Sequence, residues 1–245
     1  MQQNSFFSRL PLVTKNLIII NFIIWLAEMV FSKHIAGLDI HRYAALHYFE
    51  ASDFNPAQLI TYMFLHGNFM HLFFNMFALF MFGTTIESTL GSKRFLFYYI
   101  SCGLGAAIIQ EITWYFTWGS TFIPQLANLN GCTFEEMSIA INQAIAMGQD
   151  LPFLNYLMTI GASGSVYGIL LAFGMIFPNR AIYMMFIPIP IKAKYFVIGY
   201  GLIELWSGFS ANDDIAHFAH LGGMLIGFFI ILYWKRKGII NGNYY

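Results

Sequence analysis

Apolar residues run in long blocks along this chain, and polar residues gather between the blocks and at their ends. A helix needs about 17–25 mostly apolar residues to cross a bilayer. Six stretches read as such helices: 14–32, 69–88, 94–116, 163–178, 194–210 and 215–234. The pattern predicts an all-α, polytopic membrane protein built as a bundle of six helices. The fourth and fifth stretches are short, and two others carry histidine and asparagine near one end. Such segments are tolerated where protein shelters them or where they line a wet cavity. The connections 33–68 and 117–162 are long. In the second, Thr133 stands where an N-terminal cap belongs, followed by Glu135 and Glu136. Met137, Ile139, Ile141, Ala144 and Ile145 supply an apolar side, so a short helix lying on the outer membrane surface is expected there. No repeat or low-complexity tract interrupts the chain, and residues 1–245 read as one domain.

Charge orients the bundle. With the N-terminus cytoplasmic, Arg9, Lys15, Lys93, Arg94, Arg180, Lys192, Lys194, Lys235, Arg236 and Lys237 all fall on the cytoplasmic side. Only Lys33 and Arg42 of the twelve basic residues fall outside. Cytoplasmic loops carry the excess of Lys and Arg, so both termini are expected inside and both long loops outside. A bacterial inner (plasma) membrane is the expected location. Composition agrees with lipid as the solvent: 10% of residues are charged, against about 25% in soluble domains. The formal net charge is zero, which gives no attraction for nucleic acid. Cys102 and Cys132 form no CxxC and no zinc spacing. Arg9 and Lys15 before an apolar run imitate a signal peptide. No small-residue cleavage site follows promptly, so the first stretch reads as a helix that stays.

Depth then picks out chemistry. Counted from the presumed inner ends, Ser163, His220 and Asn75 each stand roughly 20–22 Å along three different helices. His71 lies one turn above Asn75 on the same face. Polar side chains at one depth inside lipid mark a candidate site. A serine hydroxyl needs a neighbouring base to become a nucleophile, and histidine is the usual one. A tetrahedral oxyanion needs donors already in place. Ser163 opens its helix, where backbone N–H groups have no intrahelical partner. Its own N–H, Asn75 and His71 are the candidate donors. Tyr167, one turn on, is placed to pack on the His220 ring. Gly164 and Gly168, and Gly223 and Gly227, are spaced four apart, a pattern that lets two helices approach closely.

"GASGSVYG", "AHFAHLGGMLIG" and "HGNFMHLFFNMFALFMFGTTIESTLGS" together resemble the rhomboid family of intramembrane serine proteases. The resemblance covers all six predicted helices. It implies a rhomboid-like bundle in which Ser163, within Gly161-Ala162-Ser163-Gly164, is the nucleophile and His220, ahead of Gly223 and Gly227, its partner. It implies that His71 and Asn75 line the oxyanion hole and that Tyr167 packs on the histidine. The implied reaction uses a Ser–His dyad with no catalytic Asp, metal or cofactor. Its substrates would be single-pass membrane proteins, cut within or beside their transmembrane helix. The partners are then those proteins and the lipid, not nucleic acid. The Trp-Arg pair that many members carry in the first outer loop is absent from 33–68.

Other polar residues read as structural. His66 and His71 are five apart, about 140° around a helix, so they do not form a metal pair on one face. His217 is expected to face the outer loop or support the site. Asp213 and Asp214 read as solvated ends. Glu28, Glu111 and Glu204 are expected near an end or paired internally, with no role assigned. Glu87 is expected to hydrogen-bond structurally. No HExxH occurs. Ser165 stands where a soluble nucleophile elbow needs glycine. Two other readings are a non-catalytic relative that binds membrane helices, and a transporter. The first would lack Ser or His. The second would normally show two related halves, and no internal repeat is present.

Overall fold

A carboxylate from the second membrane helix starts the first. The computed structural model describes residues 10–34, 39–184, 187–210 and 215–240; Asp213 and Asp214 lie outside them. Helix α1 (Leu12–His34) begins against Glu87. Glu87 Oε1 accepts the Val13 N–H at 2.9 Å, and Oε2 accepts the Thr14 N–H at 2.7 Å and the Thr14 hydroxyl at 2.8 Å. First-turn N–H groups lack intrahelical partners, and a negative charge suits that end of the helix. The Ser92 hydroxyl also donates to Glu87, at 2.6 Å. The structural part expected of Glu87 is therefore visible as four hydrogen bonds.

The first long connection holds α2 (Ile40–Ala44), β1 (Leu46–His47) and α3 (Gln58–Thr61), the last running into a tight turn at Tyr62–Phe64. Gln58 is buried there, accepting from the His47 N–H and donating to the Asp53 carbonyl at 2.8 Å. Asn68 caps α4 (Phe69–Ala78) by accepting from the His71 N–H at 2.8 Å. A wider turn at Leu79–Gly83 joins α4 to α5 (Thr84–Leu90), and together they make one span.

The third predicted helix is longer than expected. α6 (Ser92–Asn130) runs 39 residues, through Pro124, where the apolar pattern stopped at 116. The hydroxyls near and past the end of the apolar run are satisfied within the helix. Thr113 and Thr117 donate to carbonyls four residues earlier, at 2.8 and 2.7 Å, and Ser120 donates to Thr117. Ile123 and Ala127 stay buried along the extension. The 117–162 connection is thus largely helical. It continues into α7 (Phe134–Ala146), capped reciprocally by Thr133 and Glu136 as the sequence suggests.

A short ladder corrects the all-α expectation. β1 pairs antiparallel with β2 (Met158–Thr159), Leu46 opposite Thr159 and His47 opposite Met158. A second ladder joins β3 (Ala181–Met184) and β4 (Ile187–Lys192) between the fourth and fifth helices. The first pairing leaves no periodic signature, because two-residue strands are too short to show alternation.

α8 (Ser163–Ile176) is the centre of the bundle, with ten of its fourteen residues buried. It is apolar on all sides, as a helix surrounded by protein is expected to be. α9 (Ala193–Ser210) buries only Ala193, Val197 and Glu204, and turns Tyr195, Ile198, Leu202, Trp206 and Phe209 outward. α10 (His217–Arg236) closes the bundle against α6 and α8. Among the described residues, four helical segments are long and apolar enough to cross a membrane: Leu12–Phe31, Phe69–Leu90, Ser92–Asn130 and His217–Arg236.

Candidate active site

The ladder of β1 and β2 delivers the chain to Ser163. The Gly161 N–H donates to the Tyr62 carbonyl at 2.9 Å, and Tyr62 in turn donates its hydroxyl to the Gly103 carbonyl at 2.7 Å. Gly161 has φ +125°, a backbone state open essentially to glycine. Two residues later α8 begins, with Ser163 as its first residue and no side chain capping that end. No side chain therefore satisfies the first-turn N–H groups of α8 beside Ser163. Ser163 is half-buried, and Ser165 is not an alternative, being buried with its hydroxyl on the Tyr99 carbonyl at 2.8 Å.

α10 meets α8 backbone to backbone. A Cβ on Gly223 would lie 1.9 Å from the Gly164 carbonyl oxygen. Gly168 and Gly227 take up the rest of the seam, beside Cys102 and Tyr98. This approach puts His220 Nε2 2.9 Å from Ser163 Oγ. Tyr167 lies flat on the imidazole, ring centres 4.2 Å apart and planes 7° from parallel.

His71 reaches the same place. A Cβ on Gly161 would stand 2.7 Å from His71 Nε2 and 3.6 Å from Ser163 Oγ, so both atoms border one small space. Asn75 is buried one turn below, but its amide donates to the His71 carbonyl at 3.0 Å, within its own helix. His66 packs edge-on to His71 with ring centres 5.0 Å apart. Burial first, and then the neighbouring His71, hold the His66 pKa down to about 4.

The sequence assigned no role to Glu204, and the structure brings it in. Its Oε2 lies 2.9 Å from His220 Nδ1 and 2.7 Å from His217 Nδ1. Tyr167 donates its hydroxyl to Oε1 of the same carboxylate. His217 therefore stands behind the site, one turn before His220, and meets Glu204. Among the described residues, Glu204, His217 and His220 present ligand atoms within 4.8 Å of one another, a spacing that could hold a metal ion. The same atoms are already engaged in hydrogen bonds. The signal available in the sequence was an ionisable residue inside an apolar run. What it lacked was the face of α9 on which that residue lies.

The comparisons with known proteins give the family. A family model described as the Rhomboid domain matches residues 54–237. The chain belongs to the rhomboid family. It is 28% identical over 175 residues to Rhomboid protein 1, mitochondrial, of Saccharomyces cerevisiae, covering 69% of this chain and 39% of that relative. It is 28% identical over 171 residues to Rhomboid protease AarA of Providencia stuartii, covering 67% of this chain and 51% of the relative. Presenilin-associated rhomboid-like protein, mitochondrial, of Rattus norvegicus is 25% identical over 195 residues, 75% of this chain and 40% of the relative. The chain spans about half or less of the length of these rhomboids. Its spans and its family make it an integral membrane protein. Two of these rhomboids are named as mitochondrial, so the expected bacterial inner membrane finds no support among them.

Proposed function

We propose that this rhomboid is an intramembrane serine endopeptidase, with Ser163 as nucleophile and His220 as general base. The observation that carries the reading is the 2.9 Å contact between His220 Nε2 and Ser163 Oγ at the N-terminus of a helix buried in the bundle. A relative whose name includes "protease" supports it. A non-catalytic relative would have no need of both groups in register.

His220 takes the Ser163 proton as Oγ bonds to the scissile carbonyl carbon. The carbonyl oxygen becomes an oxyanion beside the Ser163 N–H and His71, with Asn75 adding a donor if its amide turns from the His71 carbonyl. The positive end of α8 favours that charge. His220 then protonates the leaving amine as the C–N bond breaks. Water, activated by the same nitrogen, releases the acyl group. The reaction needs no cofactor. A helical substrate keeps its carbonyls paired, so the cut segment must unwind to reach Ser163. Substrates are single-pass membrane proteins, cut in or beside their transmembrane helix near the outer boundary. All six predicted helices cross the bilayer in this reading, with both termini cytoplasmic.

The test is activity-based labelling of purified protein in detergent. A fluorophosphonate should label the wild type, and Ser163→Ala and His220→Ala should lose both labelling and cleavage of a single-pass substrate. Full labelling of Ser163→Ala would remove Ser163 as the nucleophile.

A further inference from the structure

Glu204 sits where a membrane helix should avoid charge. An ionised side chain at the centre of a membrane helix costs about 2.5–3.5 kcal/mol on insertion scales. α9 buries only three residues, and two of them, Ala193 and Val197, are small and apolar. The third is Glu204, 5% exposed. Its carboxylate receives Tyr167 on one oxygen and the Nδ1 atoms of His217 and His220 on the other. A buried carboxylate with three donors, one of them the ring next to Ser163, is poorly explained by packing alone.

We infer that the Glu204 carboxylate positions His220, so that the reactive unit of this chain is a Ser163–His220–Glu204 triad. The inference rests on the protease reading above and specifies how its base is held. Neutral imidazole carries one proton, and the partner of one nitrogen decides where it sits. An ionised carboxylate can only accept. With Glu204 on Nδ1, the proton belongs to Nδ1 and the Nε2 lone pair points at Ser163 Oγ. That is the tautomer a base needs.

The same contact acts during the reaction. When the Ser163 proton moves to Nε2 and Oγ bonds to the carbonyl carbon, the ring becomes imidazolium. The Nδ1 proton stays on nitrogen, hydrogen-bonded to Glu204, and the carboxylate remains ionised. The Nε2 proton then passes to the leaving nitrogen as the C–N bond breaks. A fixed negative charge 2.9 Å from the ring stabilises the imidazolium in a medium that screens poorly. Tyr167 serves twice, holding the ring face and the carboxylate. His217 holds Oε2 from the other side.

The experiment compares wild type, Ser163→Ala, Glu204→Gln and Glu204→Asp as full chains in one detergent, measuring kcat and KM on a single-pass substrate and the unfolding midpoint. Glu204→Gln keeps the size and removes the charge. It should lower kcat by about 100- to 10,000-fold, the upper figure being the loss when a triad acid elsewhere becomes an amide, with KM within about threefold by the same reasoning. Glu204→Asp restores the charge on a shorter arm and should recover at least about tenfold of that loss. A packing role reverses the order, since Gln fills the space and Asp does not; Glu204→Gln at wild-type kcat overturns the triad. Should Glu204→Gln fail to fold, Glu204→Asp decides with its unfolding midpoint read beside it: lower kcat at unchanged KM and unchanged midpoint supports the triad, and a kcat that is unchanged, or that falls only together with the midpoint, overturns it. An inert wild type would instead defeat the protease reading itself, and Ser163→Ala in the same preparation tells the two failures apart.

Discussion

Gly223 lies so close to Gly164 that a single added carbon would stand 1.9 Å from its carbonyl oxygen. The obstacle is backbone, which cannot swing aside as a side chain can. Gly223→Ala should therefore push α10 away from α8 and lengthen the reach from His220 to Ser163. A displacement near 1 Å at a reacting centre can cost about 100-fold in rate. Overpacking of a core adds about 1–3 kcal/mol of destabilisation. Turnover and the unfolding midpoint of Gly223→Ala should both fall; full turnover would mean the seam is looser than its geometry.

The space between Gly161, His71 and Ser163 makes a second prediction. Gly161→Ala meets two obstacles at once, a φ of +125° and a Cβ 2.7 Å from His71 Nε2. His71→Ala meets neither and removes only a donor. Loss of one oxyanion donor costs about 100- to 1000-fold elsewhere. A loss of about 10- to 100-fold in kcat is expected for His71→Ala, because the Ser163 N–H remains. KM should hardly move, since the charge develops only in the transition state. Gly161→Ala should lose more. Steady-state kinetics on both variants checks the order, and a loss confined to KM would remove His71 from the hole.

Glu87 should matter for stability and not for chemistry. It accepts from Val13, Thr14 and Ser92, on the span whose other end carries His71. Hydrogen bonds to a charged group contribute about 1.5–3 kcal/mol each, and are not additive. Glu87→Ala is expected to destabilise the protein by about 2–4 kcal/mol. The kcat of the folded fraction should match wild type. Unfolding in increasing denaturing detergent, read beside single-turnover labelling of Ser163, separates the two.

The first long connection should loosen at alkaline pH. His41 Nε2 lies 2.9 Å from Glu28 Oε1, and that hydrogen bond raises the His41 pKa above 6.5 despite partial burial. Glu28 also accepts the His66 N–H. A group whose folded pKa is raised contributes fully below its unfolded pKa, about 6.5, and loses the contribution as pH climbs through the folded value. His41 is partly exposed, so the effect is about 0.5 kcal/mol after solvent screening. Amides of residues 39–47 should exchange faster at pH 8.5 than at pH 6 after correction for intrinsic rates. His41→Gln should abolish that difference; an equal difference in the variant would assign it elsewhere.

Much of the site was legible in the chain because helical periodicity carries depth. Ser163, His220 and Asn75 sit at matched distances from helix ends, with His71 one turn above Asn75, and glycines four apart announce where helices touch. The cap at Thr133 was also readable, since it acts on backbone three residues away. These are properties of residue type and local spacing. Tertiary structure alone decided the rest. α9 is apolar almost throughout, so its pattern does not say which side meets the bundle, and Glu204 pointed nowhere until α9 packed on α8 and α10. The continuation of α6 past 116 depended on Ile123 and Ala127 finding cover. The pairing of Leu46 with Thr159 joins residues more than a hundred positions apart through strands of two residues. Contacts of that kind are set by three-dimensional neighbours, which no local pattern encodes.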